Sequence, residues 1–259
     1  MKRAVSIGAA VVAGLYLAIF VFFAVAQRSL IFPAPGGARA PVAPVVAGRG
    51  FRAIWIPPPR NRAPVVVHFH GNGEDLASLD PILDLLRSTG AGVLAVEYPG
   101  YGISRADGGP SEDAFYRVGI AAVAYAREQA AASPLILEGQ SLGSGVAAEL
   151  AARGLASRLI LISPYTSMTD VAAVHFPWLP VRLLLRDRFD TASKAPRIEV
   201  PVLLIHGSED EVVPAWMSEE LEELFPHATR RLIEDAHHND LLLLHARELR
   251  AALGEFFAR

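Results

Sequence analysis

The chain has 259 residues, of which 52% are hydrophobic and 20% charged, and its formal net charge is −3. That length suits one α/β domain with a sizeable core, and the weakly negative charge gives no basic surface, so we expect no nucleic-acid partner. The absence of cysteine excludes disulfides, thiolate catalysis and cysteine-ligated zinc.

The N-terminus carries an apolar segment long enough to cross a bilayer. Lys2 and Arg3 precede an uncharged run over residues 4–26, and a transmembrane helix needs roughly 20 residues. The run exceeds the ~7–15-residue apolar core of a cleavable signal peptide, although Ala24-Val25-Ala26 resembles a signal-peptidase site. We therefore expect an uncleaved signal anchor over residues 1–28; a cleaved signal, leaving a secreted or periplasmic protein, and a buried core helix are the alternatives. The positive charge before the span predicts an extracytoplasmic domain.

Residues 29–50 are predicted to be an extended connector because they contain four prolines between residues 33 and 44. Beyond them, short apolar runs alternate with helix-like segments. The strands are predicted at 51–56, 65–69, 93–98, 135–139, 159–163, 202–207 and 229–234, and the helices at 76–88, 111–131, 143–153, 216–225 and from 240 onward. Continuous apolar strands that alternate with helices predict a mostly parallel sheet with helices on both faces.

One long segment, residues 164–200, interrupts this alternation. It is too long for an ordinary connection between elements and is rich in apolar and aromatic residues. We expect either a small cap over the C-terminal edge of the sheet, where substrates bind in open α/β folds, or two further helices packed on the core. The domain is expected to occupy residues 51–259.

A serine flanked by glycines follows the apolar run that begins at residue 135. In Gly139-Gln140-Ser141-Leu142-Gly143, small residues on both sides allow a sharp turn from strand to helix. Such a turn exposes the serine hydroxyl at a helix N-terminus, where negative charge is favoured. We interpret Ser141 as a candidate nucleophile; the alternative is a structural turn that happens to contain a serine.

A serine nucleophile needs a base, and the candidates follow the last predicted strand. Residues 235–240 read Asp-Ala-His-His-Asn-Asp, and two adjacent histidines cannot both face one serine. We expect His238 rather than His237 to be the base, because Asn239 and Asp240 at the start of the next helix should fix its loop.

The acidic partner is expected just after the run at 202–207, where three carboxylates lie together. We choose Asp210, with Glu209 and Glu211 as solvated or capping residues. A buried carboxylate there would hold the imidazole of His238 in the correct tautomer and stabilise its cation. The resulting chain order is Ser, Asp, His.

Two backbone N–H groups are expected to bind the oxyanion. The first belongs to Leu142, directly after the candidate nucleophile. The second is assigned to Asn72, in the loop that follows the strand at 65–69.

Short motifs are spread along the chain. They are 27–32, 70–72, 98–102 with Ser104, 139–143, 188–190, 207–210 with Val213-Pro214, and 238–240. Together they resemble the α/β-hydrolases, and within them the membrane-anchored BEM46-like and ABHD13-like serine hydrolases. The resemblance covers nearly everything from Gln27 onward and implies the same triad of Ser141, Asp210 and His238. It departs from the usual pattern at Glu97, where Asp is more common, and at Ala236, where Gly is common.

The expected function is cleavage of an ester or thioester by a membrane-tethered serine hydrolase that needs no cofactor. The substrate is expected to be a small acyl ester or a lipid-like molecule. The alternatives are a catalytically silent interaction module with the same fold and a serine peptidase using the same triad. His68 and His70 form an H-x-H pair, but the following residues do not continue a metal-binding pattern, so we expect no metal.

Overall fold

The computed structural model describes residues 2–35, 40–48 and 50–258, with side chains from residue 6 onward. Its described residues form an eight-stranded sheet with the order β1-β2-β4-β3-β5-β6-β7-β8. The strands are β1 (Val45–Gly48), β2 (Phe51–Ile56), β3 (Val65–Phe69), β4 (Gly92–Glu97), β5 (Leu135–Gln140), β6 (Arg158–Ile162), β7 (Val202–Gly207) and β8 (Ala228–Ile233). Strand β2 pairs antiparallel with β1 and β4, and the remaining pairs are parallel.

The helices surround this sheet. They are α1 (Lys2–Ile31), α2 (Asp80–Arg87), α3 (Glu112–Gln129), α4 (Leu142–Ala152), α5 (Met168–His175), α6 (Val181–Leu184), α7 (Trp216–Leu224), α8 (Leu241–Leu244) and α9 (Ala246–Ala258). Alternate residues of the central strands feed two separate apolar clusters: Val65 and Val67 belong to one, and Val66 belongs to the other. The prediction of a mostly parallel sheet with helices on both faces is confirmed.

Helix α1 is long and apolar enough over Ser6–Ile31 to cross a membrane. Its last turns dock on the domain. The Gln27 side chain is buried, donates to the carbonyl of Leu184 at 3.1 Å and accepts from the backbone N–H of Arg186 at 2.9 Å. Arg28 pairs with the buried carboxylate of Asp187 at 2.9 Å. These contacts therefore hold the end of α1 in a fixed position on the domain.

The residues expected to form a connector contain more structure than the sequence indicates. Helix α1 continues to Ile31, and Phe32 is buried in the core with its ring 5.2 Å from that of Phe115. Strand β1 then adds an edge to the sheet by pairing with β2. Local sequence did not indicate these contacts because they depend on distant partners.

The segment at 164–200 contains α5, α6 and a short 3-10 turn at Ala195–Arg197. Four of its residues form a small apolar cluster with the C-terminal half of α1; they are Leu179, Val181, Leu184 and Leu185. We call residues 168–185 the cap. The cap therefore packs against the C-terminal half of α1, and its role as a lid over the sheet edge stays a prediction.

Candidate active site

Ser141 lies in the sharp turn between β5 and α4. Its backbone has φ = 48° and ψ = −115°, a conformation rare for a residue with a side chain. The turn is this tight because Gly139 and Gly143 lack side chains: a Cβ on Gly139 would collide with the Gly143 carbonyl, and one on Gly143 would collide with the Phe69 carbonyl. The hydroxyl therefore projects from the end of the strand.

His238 and Asp210 complete a chain of hydrogen bonds from this hydroxyl. The Nε2 of His238 lies 3.0 Å from the Oγ of Ser141, and its Nδ1 lies 2.7 Å from the Oδ2 of Asp210. The loops after β7 and β8 hold these two residues, so three distant segments meet at one edge of the sheet. The structure thus brings together the three side chains that the sequence singled out.

The carboxylate of Asp210 is buried and well supplied with donors. Its Oδ1 accepts from the backbone N–H groups of Val212 and Val213 at 3.0 and 2.7 Å. Burial by itself would raise the pKa of Asp210, but hydrogen bonds from His206 and His238, together with the Val213 N–H, hold that pKa well below its ordinary value. Asp210 is therefore ionised beside the imidazole of His238.

His206 contacts Asp210, which the sequence did not indicate. It lies at the penultimate position of strand β7. Its fully buried Nε2 also lies 2.8 Å from the Val213 carbonyl and 3.3 Å from the Oδ2 of Asp210. The only available signal was its position four residues before Asp210. His206 helps to fix the carboxylate that faces His238.

His237 points elsewhere. Its side chain is exposed and contacts Glu211 at 3.2 Å, and this carboxylate raises the pKa of His237. Its backbone N–H donates to Asp240 at 2.8 Å. The two adjacent histidines thus face different surroundings, and His238 is the one beside Ser141.

The loop that carries Asn72 lies beside Ser141. A Cβ on Gly71 would lie 3.6 Å from the Cβ of Ser141. The Asn72 side chain donates to the carbonyl of Ile31, the last residue of α1, and accepts from the Tyr101 hydroxyl at 2.7 Å. The end of α1 and Tyr101 therefore hold this loop in place.

Leu142, the other predicted oxyanion residue, begins α4. The first N–H groups of a helix have no intrahelical acceptor, so the backbone donor of Leu142 is available beside Ser141. Both Leu142 and Asn72 line the cavity onto which Ser141 and His238 open.

This cavity has a volume of about 940 Å³ and is mostly apolar. Its apolar walls include the end of α1, the cap and α8, and the loop after β3, the start of α2 and the loop after β7 also contribute. Representative lining residues are Phe23 and Ile31 from α1, Phe176 and Leu179 from the cap, and Leu242 from α8. A cavity of this size accommodates a drug-sized or acyl-chain ligand. Within the described ranges, no group of three or more His, Asp or Glu side chains is arranged to bind a metal ion.

The chain is similar to known families and proteins along nearly its whole length. A family model described as serine aminopeptidase, S33, matches residues 60–189, and one described as alpha/beta hydrolase fold matches residues 187–243. An uncharacterized protein of Mycobacterium tuberculosis is 33% identical over 95% of this chain and 92% of its own length. Mouse alpha/beta hydrolase domain-containing protein 17C is 35% identical over 67% of this chain and 54% of its own length.

Solved structures share the fold. Est1E of Butyrivibrio proteoclasticus, with ferulic acid bound, superposes with a TM-score of 0.68 at 18% identity, covering 84% of this chain and 100% of its own. A monoacylglycerol lipase of Paleococcus ferrophilus superposes with a TM-score of 0.58 at 21% identity, covering 76% and 96%. With the family matches over both halves of the domain, these results show that the chain belongs to the α/β-hydrolase superfamily.

Proposed function

We propose that this chain is a membrane-anchored serine hydrolase that cleaves an ester or thioester bond of an apolar acyl substrate. The observation that carries the proposal is the continuous pair of hydrogen bonds from Ser141 through His238 to Asp210, with lengths of 3.0 and 2.7 Å. Esterase and lipase structures with the same fold support the reaction class.

In the acylation step, His238 takes the proton of the Ser141 hydroxyl as the Oγ attacks the acyl carbonyl. Asp210 stabilises the imidazolium that forms. His238 then gives this proton to the departing alkoxide or thiolate, and an acyl-serine is left. In the second step His238 takes a proton from water, the hydroxide attacks the acyl-serine, and the released serine oxygen regains the proton.

The N–H groups of Leu142 and Asn72 are proposed to bind the oxyanion of both tetrahedral intermediates. One such donor typically contributes about 2.7–4 kcal/mol of transition-state stabilisation. The side-chain contacts of Asn72 with Ile31 and Tyr101 keep its loop next to Ser141. No step requires a cofactor.

Helix α1 is proposed to anchor the enzyme as a single membrane span, with the catalytic domain on the extracytoplasmic side. The most apolar 18-residue window within Ser6–Ile31 has a mean hydropathy of 2.6. Lys2 and Arg3 precede it and favour a cytoplasmic N-terminus. Fusion of a reporter active only outside the cytoplasm to the C-terminus tests this orientation; activity of a cytoplasm-specific reporter there would refute it.

A fluorophosphonate probe tests the hydrolase proposal. We expect covalent labelling of the full-length protein in membranes, and loss of labelling in Ser141→Ala. Thermal unfolding of the variant should match the wild type, which shows that the site rather than the fold is lost. A folded wild-type protein that resists the probe would instead support a silent interaction module.

Peptide-bond cleavage by the same residues is a second candidate, because one matching family model is described as serine aminopeptidase. Amide and ester hydrolysis use the same nucleophile and oxyanion chemistry. A panel of p-nitrophenyl esters of increasing chain length, compared with amino-acid anilides, separates the two. We expect kcat/KM to be higher for the esters, since the cavity is mostly apolar; higher values for the anilides would favour the peptidase.

A further inference from the structure

We propose that the tip of the cap, residues 171–181, inserts into the membrane leaflet beside α1, and that the cavity takes its acyl chain sideways from that leaflet. The inference rests on the proposed function, since it takes α1 as a membrane span and the cavity as the acyl site. It adds a lipid-contacting surface and a route for a long-chain lipid ester.

Contacts between the cap and α1 place the tip at membrane depth. The Tyr16 hydroxyl donates to the Trp178 carbonyl at 3.4 Å, and the Phe23 ring lies 5.4 Å from Phe176 and 6.1 Å from Trp178. Arg28 is the first charged residue after the span. Counted back from Arg28 along a helix that rises ~1.5 Å per residue, Phe23 lies about 8 Å and Tyr16 about 18 Å into the span.

That depth is inside the hydrocarbon layer. A bilayer's hydrocarbon core is ~30 Å thick, and α1 needs roughly 20 of its apolar residues to cross it. Residues 4–26 supply 23 uncharged positions, so Phe23 lies within the outer leaflet and Tyr16 lies close to the middle of the bilayer. A segment that packs against both residues therefore lies within the hydrocarbon layer.

The composition of the tip suits this location. Residues 171–181 contain no Asp, Glu, Lys or Arg, which are costly in the bilayer interior. The nearest charges, Asp170 and Arg182, lie at either end of the tip and pair with each other at 2.9 Å. Trp178 is 52% exposed and Phe176 is 38% exposed. Lipid would cover this apolar surface, which is unfavourable in water.

The cavity reaches the same surface. Phe22, Phe23 and Phe176 line the cavity together with Ser141 and His238. Phe22 is also 57% exposed on the surface of α1. One cavity thus has both the candidate nucleophile and Phe22 of the exposed α1 surface among its lining residues. An acyl chain can follow this cavity from the leaflet while its ester group approaches Ser141.

Fluorescence quenching tests the insertion directly, because the chain has three tryptophans, at 55, 178 and 216. Trp55 is the internal control. It lies on β2 opposite Leu94, which is near the start of β4, and this places Trp55 toward the edge of the sheet opposite the candidate site. The full-length protein is reconstituted in phosphatidylcholine vesicles whose acyl chains are brominated. One variant keeps only Trp178 (Trp55→Phe, Trp216→Phe), and the other keeps only Trp55 (Trp178→Phe, Trp216→Phe).

We expect bromolipid to quench Trp178 at least about threefold more strongly than Trp55, because quenching requires contact with the acyl chains. Quenching of Trp178 equal to or weaker than that of Trp55 would overturn the proposal. This readout needs no catalysis, so it stays decisive even if the chain proves not to be a hydrolase.

A pair of matched variants tests the consequence for the substrate. Trp178 and Trp216 are similarly exposed, at 52% and 46%, and neither lines the cavity. Trp178→Lys should lower kcat/KM for a long-chain lipid ester embedded in vesicles by about tenfold, because a lysine resists insertion. It should leave hydrolysis of a water-soluble short-chain ester within about twofold, as distant sites act independently, and Trp216→Lys should change neither rate.

Equal losses in both variants, or no loss in Trp178→Lys, would overturn the role of the tip in substrate uptake. If the wild type hydrolyses neither substrate, the proposed function fails and the insertion is judged from the quenching alone. The two failures are therefore distinguishable.

Discussion

Two histidine–carboxylate pairs with similar chemistry lie in different parts of the sheet, and their comparison shows what makes such a pair reactive. His238 and Asp210 stand on loops at the C-terminal edge, beside the Ser141 hydroxyl and a cavity. His68 and Glu138 are cross-strand neighbours within β3 and β5, are in hydrogen-bond contact, and are both fully buried. The pair alone does not define a site; its position relative to a nucleophile and to a cavity does.

The surroundings of the two pairs also differ in hydrogen bonding. Asp210 has donors for both of its oxygens. In contrast, the Oε1 of Glu138 and the Nε2 of His68 have no hydrogen-bond partner among the described residues. In the proposed mechanism the loop pair carries a charge during turnover, whereas we interpret the inner pair as a structural contact.

Replacing the histidine of the loop pair should have the largest effect. We expect His238→Gln to lower kcat/KM for a short-chain ester by about 10⁶-fold, equivalent to ~8 kcal/mol, because the hydroxyl loses its base. His237→Gln is the matched control and should retain wild-type activity, since His237 faces Glu211 instead of Ser141. A comparable loss in His237→Gln would show that the wrong histidine has been chosen.

The next largest effect is expected from Asp210→Asn. Loss of the carboxylate should lower kcat by about 10⁴-fold, because the imidazole is no longer held in the correct tautomer. Glu209→Gln, on the same loop, should be nearly neutral. Steady-state kinetics on purified full-length protein measure both, and a small effect of Asp210→Asn would remove Asp210 from the proposed triad.

Substitutions in the inner pair, His68 and Glu138, should change the stability of the protein and not its activity. Glu138→Leu leaves His68 buried without its hydrogen-bond partner, so we expect the free energy of unfolding to fall by about 1–3 kcal/mol. The double variant His68→Leu/Glu138→Leu should recover most of this loss, because replacing both partners of a buried hydrogen bond by apolar side chains is often nearly neutral. Denaturant unfolding measures both, and an unchanged kcat/KM in folded Glu138→Leu separates this pair from the catalytic one.

The pH dependence of stability should distinguish the loop pair further. The pKa of Asp210 is lower in the folded protein than in an unfolded chain, so its carboxylate stabilises the fold above its ordinary pKa of about 4. This stabilisation is lost as the pH falls from there through the folded pKa. The difference in unfolding free energy between wild type and Asp210→Asn should therefore shrink below about pH 4; a difference that widens in acid would contradict the assignment.

The smallest expected effect is a change in the pKa of the exposed His237. The carboxylate of Glu211 raises the pKa of His237, so Glu211→Gln should move that pKa back toward about 6.5. An NMR titration of the imidazole resonances measures the change. A pKa of His237 that stays raised in the variant would mean that another group causes the shift.

The sheet was predictable because its inner strands are continuous apolar runs, and β2, β3 and β7 begin and end where the sequence indicates. Ser141 was predictable because a sharp strand-turn-helix connection that exposes a serine requires small residues on both sides of it. His238 and Asp210 were placed by their position after the last strands. The contacts of His238 with Ser141 and with Asp210 match the expectation, while the catalytic roles of these residues and those of Leu142 and Asn72 stay predictions.

What the sequence did not indicate depends on contacts between distant segments. The pairing of His68 with Glu138 follows from the register of β3 against β5, which no local pattern encodes. Two hydrogen bonds likewise join residues far apart in the chain: that of Asn72 with the last residue of α1, and that of Gln27 with the carbonyl of Leu184 in the cap. Local propensity cannot reveal such partners, since tertiary packing selects them.

The docked end of α1 also bears on maturation. A peptidase that cut after Ala26 would detach Phe23 and Ala24 from the apolar cluster around Leu179 and Leu184, and would remove one side of the cavity. The released domain would keep Gln27 and its hydrogen bond to Leu184 but would expose the apolar side chains of this cluster to water. Under the proposed function, release into solution would therefore work against the hydrolysis of long-chain lipid esters.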